Sequence, residues 1–91
     1  MMQFSYTRRF NKLAAKLPET IKKKLKKRLA LLVENMGHPS LDSQKMTGED
    51  DIWEAKVDYH YRITFKVNDD EIVLRTVGTH DIYRKPQFHL P

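Results

Sequence analysis

The stretch from Trp53 to Asp81 constrains the fold more than any other part of this chain. Its first two segments, 53–57 and 61–67, alternate apolar and polar residues, which is the pattern of β-strands with one buried face. The third segment, 71–81, carries apolar residues at successive positions, as expected of an inner strand covered on both sides. The stretch therefore predicts three consecutive strands of one sheet.

The turns predict how these strands pair. A two-residue turn at 69–70 would set the register of the last two strands. The pairs predicted on the apolar face are Val67 with Ile72, Phe65 with Leu74, and Ile63 with Thr76. The pairs predicted on the polar face are Lys66 with Val73, Thr64 with Arg75, and Arg62 with Val77.

The first turn is predicted to be a three-residue loop at 58–60, because a two-residue loop would mix the apolar and polar faces. The loop places Lys56 opposite Arg62 and Glu54 opposite Thr64. Together the two turns gather polar side chains on one face of the sheet: Glu54, Lys56, Arg62, Thr64 and Arg75. His80 and Asp81 follow at the end of the third strand. Several cations with a carboxylate and a histidine are groups suited to chemistry at a phosphodiester.

Two helices are predicted before these strands. Thr7 is a suitable N-cap for the first, whose apolar residues lie three and four apart: Phe10, Leu13, Ala14 and Leu17. Pro18 fits the first turn of the second helix. The apolar stripe of that second helix is Ile21, Leu25, Leu29, Leu32, Val33 and Met36, and Gly37 is the expected stop signal. The short link predicts a helical hairpin that covers the apolar face of the sheet.

Three further segments complete the chain. Short strands are predicted at 3–6 and 44–47, and the loop at 37–41 is expected to be held on the core by Leu41. Trp53 is expected to be a core residue.

The composition favours one globular domain spanning residues 1–91. Its hydrophobic content of 40% is too high for a disordered chain. The sequence has no apolar run long enough to cross a bilayer, no signal-peptide pattern and no cysteine, which suits a cytoplasmic protein. Because no set of histidines and acidic residues has metal-ligand spacing, neither a metal nor a cofactor is predicted.

The net charge of +5 favours a polyanionic partner such as RNA, or an acidic protein. Much of this charge lies in the lysine-rich first half of the second helix, which includes Lys23 and Lys27. These lysines could attract RNA phosphates, or they could form a solvated helix face. The sequence leaves both interpretations open.

Five segments in order resemble a known family. They read HPSL at 38–41, KMTG at 45–48, WEAKV at 53–57, YRITF at 61–65 and VGTHD at 77–81. With the preceding helices, they resemble the RelE/ParE toxin superfamily of toxin–antitoxin systems, nearest its RelE- and YafQ-like mRNA-cleaving branch.

The resemblance implies an α+β fold, in which an N-terminal helical hairpin packs on a twisted, mainly antiparallel sheet of about four strands. It implies a ribosome-dependent endoribonuclease that cuts mRNA in the ribosomal A site without metal and thereby inhibits translation. It also implies a cognate antitoxin that neutralises the toxin by binding it.

The resemblance carries over to single residues. Lys56 matches a catalytic lysine position of RelE, and Arg62 matches the arginine that holds the scissile phosphate. His80 matches the catalytic histidine of the YafQ-like proteins. Tyr83 lies near a terminal aromatic that contacts the nucleotide in the family, although its spacing differs. Glu54 stands where RelE has another lysine.

The resulting hypothesis is attack of a ribose 2′-OH on the adjacent phosphate, with cations around the developing charge. Lys56 and Arg75 would add positive charge, and Asp81 could orient His80 or take part directly. Glu54 could be the general base or the salt-bridge partner of a neighbouring cation. Two other functions remain open, a ParE-type inhibitor of DNA gyrase and a non-catalytic module that binds RNA or an antitoxin.

Overall fold

The alternating segments of the sequence form the centre of a five-stranded sheet. The computed structural model describes residues 2–46 and 51–79. Its elements in chain order are β1 (Gln3–Tyr6), α1 (Arg8–Ala15), α2 (Glu19–Glu34), a 3₁₀ turn (Pro39–Leu41), β2 (Gln44–Lys45), β3 (Ile52–Lys56), β4 (Tyr61–Asn68) and β5 (Glu71–Thr79).

The strand order across the sheet is β1-β5-β4-β3-β2. Strand β1 runs parallel to β5, whereas all other neighbours are antiparallel. The α+β fold with two N-terminal helices and a mainly antiparallel sheet is confirmed. Within the described residues the sheet has five strands rather than about four, because β1 and the two-residue β2 add an edge on each side.

Local chemistry explains where the helices begin and end. The hydroxyl of Thr7 accepts a hydrogen bond from the N–H of Phe10 at 3.1 Å, so the predicted N-cap of α1 is confirmed. Pro18 directly precedes α2. This helix ends at Glu34, earlier than predicted, because Asn35 is extended (φ −154°). The Asn35 side chain then accepts from the N–H of Gly37 at 3.2 Å and forms a turn instead of another helical residue.

One core lies between the helices and the sheet. It contains Phe10 of α1, three residues of α2 and the inner face of the central strands. Its largest fully buried side chains are Phe65, Leu32, Leu41, Ile63, Ile72 and Leu74. Leu41 holds its loop on the core and Trp53 packs against it, both as predicted. None of the helices in the described ranges is long and apolar enough to span a membrane.

The strand pairing agrees with the prediction near both turns and departs from it further along β5. Lys56 lies opposite Arg62, and the pairing across the 69–70 turn is as expected. A β-bulge then follows Leu74, so Arg75 has no partner in the ladder. Three predicted pairs are therefore wrong. Instead, Ile63 lies opposite Val77, Thr64 opposite Thr76, and Arg62 opposite Gly78.

The bulge has a physical reason. It keeps the apolar Val77 on the core side opposite Ile63, whereas the predicted register would have placed Thr76 there. Thr7 stabilises the irregular backbone, because its hydroxyl donates to the carbonyl of Leu74 at 2.9 Å and to that of Arg75 at 3.2 Å.

Candidate active site

The polar face of the central hairpin lies on the side of the sheet opposite the core. Glu54 pairs with Thr64 and Lys56 pairs with Arg62, as predicted. The residues between them on β3 and β4 point the other way. Ala55 is one of these and is fully buried in the core. Because side chains alternate along a strand, the four polar side chains share the opposite face.

Arg62 is held by the turn that precedes it. Its Nη1 donates to the carbonyls of Asp58 at 2.7 Å, Tyr59 at 3.2 Å and Tyr61 at 3.2 Å. Its Nε lies 3.9 Å from a carboxylate oxygen of Glu54. In the described part of the chain, the second amino group, Nη2, has no hydrogen-bond partner. Nη1 and Nε of the guanidinium are thus engaged within the hairpin, and Nη2 is left to bind an anion.

Glu54 and Arg62 are both largely shielded from water. The Arg62 side chain is 16% exposed and that of Glu54 is 21% exposed. Charges in such a place interact more strongly than they do in bulk water. The interpretation of Glu54 as the salt-bridge partner of a neighbouring cation agrees with this contact, and the carboxylate also lowers the net positive charge of the face.

Thr64 and Arg75, which were expected to pair, are separated by the bulge. Thr64 is buried, and its hydroxyl forms a short hydrogen bond with the hydroxyl of Thr76. Arg75 is exposed and lies outside the paired register of Glu54, Lys56 and Arg62. Its contribution to a phosphate site would therefore be long-range charge.

Three of the remaining predicted site residues follow β5 in the sequence. His80, Asp81 and Tyr83 lie outside the described residues, so their positions stay predictions. The last described residue before them is Thr79, which pairs with Tyr61.

The predicted RNA-binding lysines lie on α2. Lys23 and Lys27 are both exposed there. This exposure is compatible with a solvated helix face and with an RNA-binding surface. Between them in sequence, Lys24 is half-exposed and extends its Nζ to 3.4 Å from the carboxylate of Asp58 in the 58–60 turn. The basic helix surface therefore reaches the turn that holds Arg62.

Asp58 is the residue that the sequence reasoning missed. Its Oδ1 accepts from the N–H groups of His60 and Tyr61, both at 2.9 Å. An aspartate at the start of a short loop is typical of such a turn, and this was the available signal. Burial acts to raise the pKa of this carboxyl, but the hydrogen bonds from Tyr61 and His60 and the charge of Lys24 outweigh burial and leave the pKa below its ordinary value of 3.8.

A second cation fixes the start of the same turn. The Nε of Arg28 donates to the carbonyl of Val57 at 3.1 Å, and its Nη1 donates to the hydroxyl of Ser40 at 2.8 Å. Helix α2 thus holds the 58–60 turn at two points, through Lys24 and Arg28. Within the described ranges, no three histidine or acidic side chains are grouped to hold a metal ion.

Solved structures share this arrangement of helices and strands. YafQ from E. coli is 20% identical, has a TM-score of 0.74, and aligns over 91% of this chain and 98% of its own. The RelB–RelE antitoxin–toxin complex from Methanococcus jannaschii contains a similar chain. It is 22% identical, has a TM-score of 0.72, and aligns over 94% of this chain and 98% of its own. A chain of the intact E. coli RelBE toxin–antitoxin complex is 24% identical, has a TM-score of 0.71, and aligns over 87% of this chain and 96% of its own. At these identities the likeness establishes the fold, which is that of the RelE-like toxins.

The sequence itself gives the family. The profile of the ParE toxin of type II toxin–antitoxin systems matches residues 4–82, so this chain belongs to that family within the RelE/ParE superfamily. No curated protein sequence matches the chain.

Proposed function

We propose that this protein cleaves mRNA in the ribosomal A site as the toxin of a type II toxin–antitoxin pair. The observation that carries the proposal is the guanidinium of Arg62, which is held at Nη1 and Nε, has Nη2 available, and lies opposite Lys56 on the polar face. A planar guanidinium held in this way can bind a phosphate oxygen at a defined position.

The reaction is a transesterification within the RNA strand. The 2′-oxygen of one ribose forms a bond to the adjacent phosphorus while the bond from phosphorus to the 5′-oxygen of the next nucleotide breaks. The products are a 2′,3′-cyclic phosphate and a 5′-hydroxyl. Negative charge develops on the phosphate oxygens, and Arg62 and Lys56 would stabilise it.

We assign proton transfer to residues that follow β5 in the sequence. His80 would donate a proton to the departing 5′-oxygen, since a histidine can exchange protons near neutral pH. Asp81 would accept the proton that the attacking 2′-OH releases, and Tyr83 would contact a neighbouring base. Glu54 would hold the guanidinium of Arg62 through the contact of 3.9 Å.

A cognate antitoxin is the proposed regulator. Similar toxins have been solved in complex with RelB or DinJ antitoxins. The net charge of +5 would favour an acidic segment in such a partner. A toxin that acts on translating ribosomes would work in the cytoplasm.

The family match favours one second candidate. Because the matching profile is that of ParE, inhibition of DNA gyrase is the alternative activity. It would not require a phosphate-binding arginine or a proton-transfer group.

Controlled expression in bacteria tests the proposal. Primer extension on cellular mRNA should give new 5′ ends within translated codons for the wild type, and at least tenfold fewer for Arg62→Ala. Arg9→Ala removes an exposed arginine of α1 as a matched control and should behave like the wild type. Stalled replication and DNA breaks with intact mRNA would instead support gyrase inhibition. Normal growth with intact mRNA would support a non-catalytic module.

A further inference from the structure

The 58–60 turn presents an exposed aromatic side chain beside the proposed phosphate site. Tyr59 is 78% exposed, the highest value among the exposed large hydrophobic residues in the described ranges. Its ring makes an edge-to-face contact with His60, with ring centroids 4.9 Å apart. One face of a tyrosine in this arrangement is available to a flat ligand.

The backbone under Tyr59 is fixed from several directions. The Asp58 carboxylate accepts from two N–H groups of the turn and is paired with Lys24. The carbonyl of Tyr59 itself accepts from Nη1 of Arg62 at 3.2 Å. Because these contacts already order the turn, a ligand that stacks on Tyr59 would lose little conformational entropy of the protein.

The surroundings of Tyr59 are suited to a nucleic-acid strand. Lys24 joins the turn to the basic surface of α2, where Lys23 and Lys27 are exposed. Nη1 of Arg62 contacts the backbone carbonyl of Tyr59, so this cation adjoins the same turn. An exposed aromatic ring on a turn that cations contact is the combination with which proteins bind single-stranded nucleic acids, since bases stack on the ring and phosphates bind the cations.

We propose that Tyr59 is a stacking platform for an RNA base next to the phosphate held by Arg62. This inference rests on the proposed ribonuclease function and adds a base-binding site to it. Since larger aromatic bases stack more strongly, Tyr59 would favour a purine at this position.

The test measures binding of the full-length protein to a short single-stranded oligoadenylate, in which every 2′-oxygen is methylated to prevent cleavage. The binding is followed by fluorescence anisotropy. Tyr59→Ala should weaken binding by about 5-fold to 150-fold, the loss of one base–aromatic stack. Tyr59→Phe should bind like the wild type, whereas Tyr59→Leu, which keeps apolar bulk without a π-face, should lose most of the affinity.

Two controls isolate the stacking contact. Tyr6→Ala removes another exposed tyrosine, 51% exposed on the edge strand β1, and should leave affinity within about twofold once circular dichroism confirms folding. An oligomer of the same length without bases should bind the wild type and Tyr59→Ala equally, because only the backbone contacts remain.

The outcomes separate this inference from the proposed function. Equal affinity of Tyr59→Ala and the wild type for oligoadenylate would overturn the stacking site, while a loss with Arg62→Ala in the same assay would leave the ribonuclease proposal standing. If the wild type binds neither oligomer and cuts no mRNA in cells, both proposals fail.

Discussion

Arg62 lies on strand β4, but its side chain is hydrogen-bonded to the turn that precedes the strand. Its position opposite Lys56 follows from the alternation of the sequence. Its contacts with the carbonyls of Asp58 and Tyr59 could not be predicted, because they depend on the path that the side chain takes back along its own hairpin. The same contacts mean that a variant of Arg62 would loosen the turn as well as remove a charge.

A variant of Glu54 tests how a carboxylate on the polar face affects RNA binding and cleavage. Glu54→Gln removes a carboxylate 3.9 Å from Arg62, so we expect affinity for RNA to rise about fivefold, on the order of 1 kcal/mol for a partly shielded pair. If Glu54 only positions Arg62, the single-turnover cleavage rate should stay within about threefold. Glu71→Gln, a carboxylate at the start of β5, is the control for loss of charge. A rate about a hundredfold lower despite tighter binding would instead identify Glu54 as the general base.

Asp58 should make stability depend on pH in the acidic range. Its pKa is lowered in the folded protein, so its contribution to the free energy of unfolding is fully present above about pH 3.8 and is lost as the pH falls through the lower, folded value. Asp58→Asn keeps a side-chain carbonyl but cannot ionise. We therefore expect it to be about 1–2 kcal/mol less stable than the wild type at pH 7, and we expect this difference to shrink as the pH falls below about 3.8.

Urea denaturation at several pH values measures this difference. Asp70→Asn, which changes an exposed carboxylate in the other hairpin turn, controls for the loss of a charge alone. A constant difference between Asp58→Asn and the wild type from pH 7 to pH 2 would contradict the assigned role of the Asp58 charge.

Among the elements, β5 was predicted correctly near its turn, whereas its bulge after Leu74 was not predicted. The hairpins were predictable, because alternation along β3 and β4 and the lengths of their turns allow only one consistent register near each turn. The bulge was missed because the segment is apolar at several successive positions. The signal was the spacing of the buried residues: Ile72 and Leu74 lie two apart, but the next core residue, Val77, comes three positions later.

Thr7 connects α1 to this bulge, because its hydroxyl both accepts and donates hydrogen bonds. It accepts from the N–H of Phe10 and donates to the carbonyls of Leu74 and Arg75. Thr7→Ala should therefore lower the free energy of unfolding by about 1–2 kcal/mol, the upper part of the range for an N-cap. Thr7→Ser keeps the hydroxyl and should retain most of the stability in urea denaturation. Equal stability of the alanine and serine variants would show that the hydroxyl contacts contribute little.

For the whole molecule, the sequence was sufficient for the fold but not for the site. Apolar periodicity determines which faces meet in the core, and the core determines the layers. The candidate site depends instead on the conformations of long side chains such as Arg62 and Lys24, which periodicity does not specify. Its remaining predicted members, His80, Asp81 and Tyr83, lie outside the described residues.

The distribution of the +5 charge can be tested through the salt dependence of RNA binding. Each cation that contacts a phosphate of a single strand releases counterions and contributes about 0.7 to the slope of log affinity against log salt. If the basic surface of α2 contacts RNA, the double variant Lys23→Ala and Lys27→Ala should reduce that slope by up to about 1.4. Lys12→Ala with Lys16→Ala removes the same charge from two exposed positions at the end of α1, and it should change the slope far less. Equal slopes for the two double variants would mean that the lysines of α2 act only through net charge, and RNA binding would then depend on the polar face of the sheet alone.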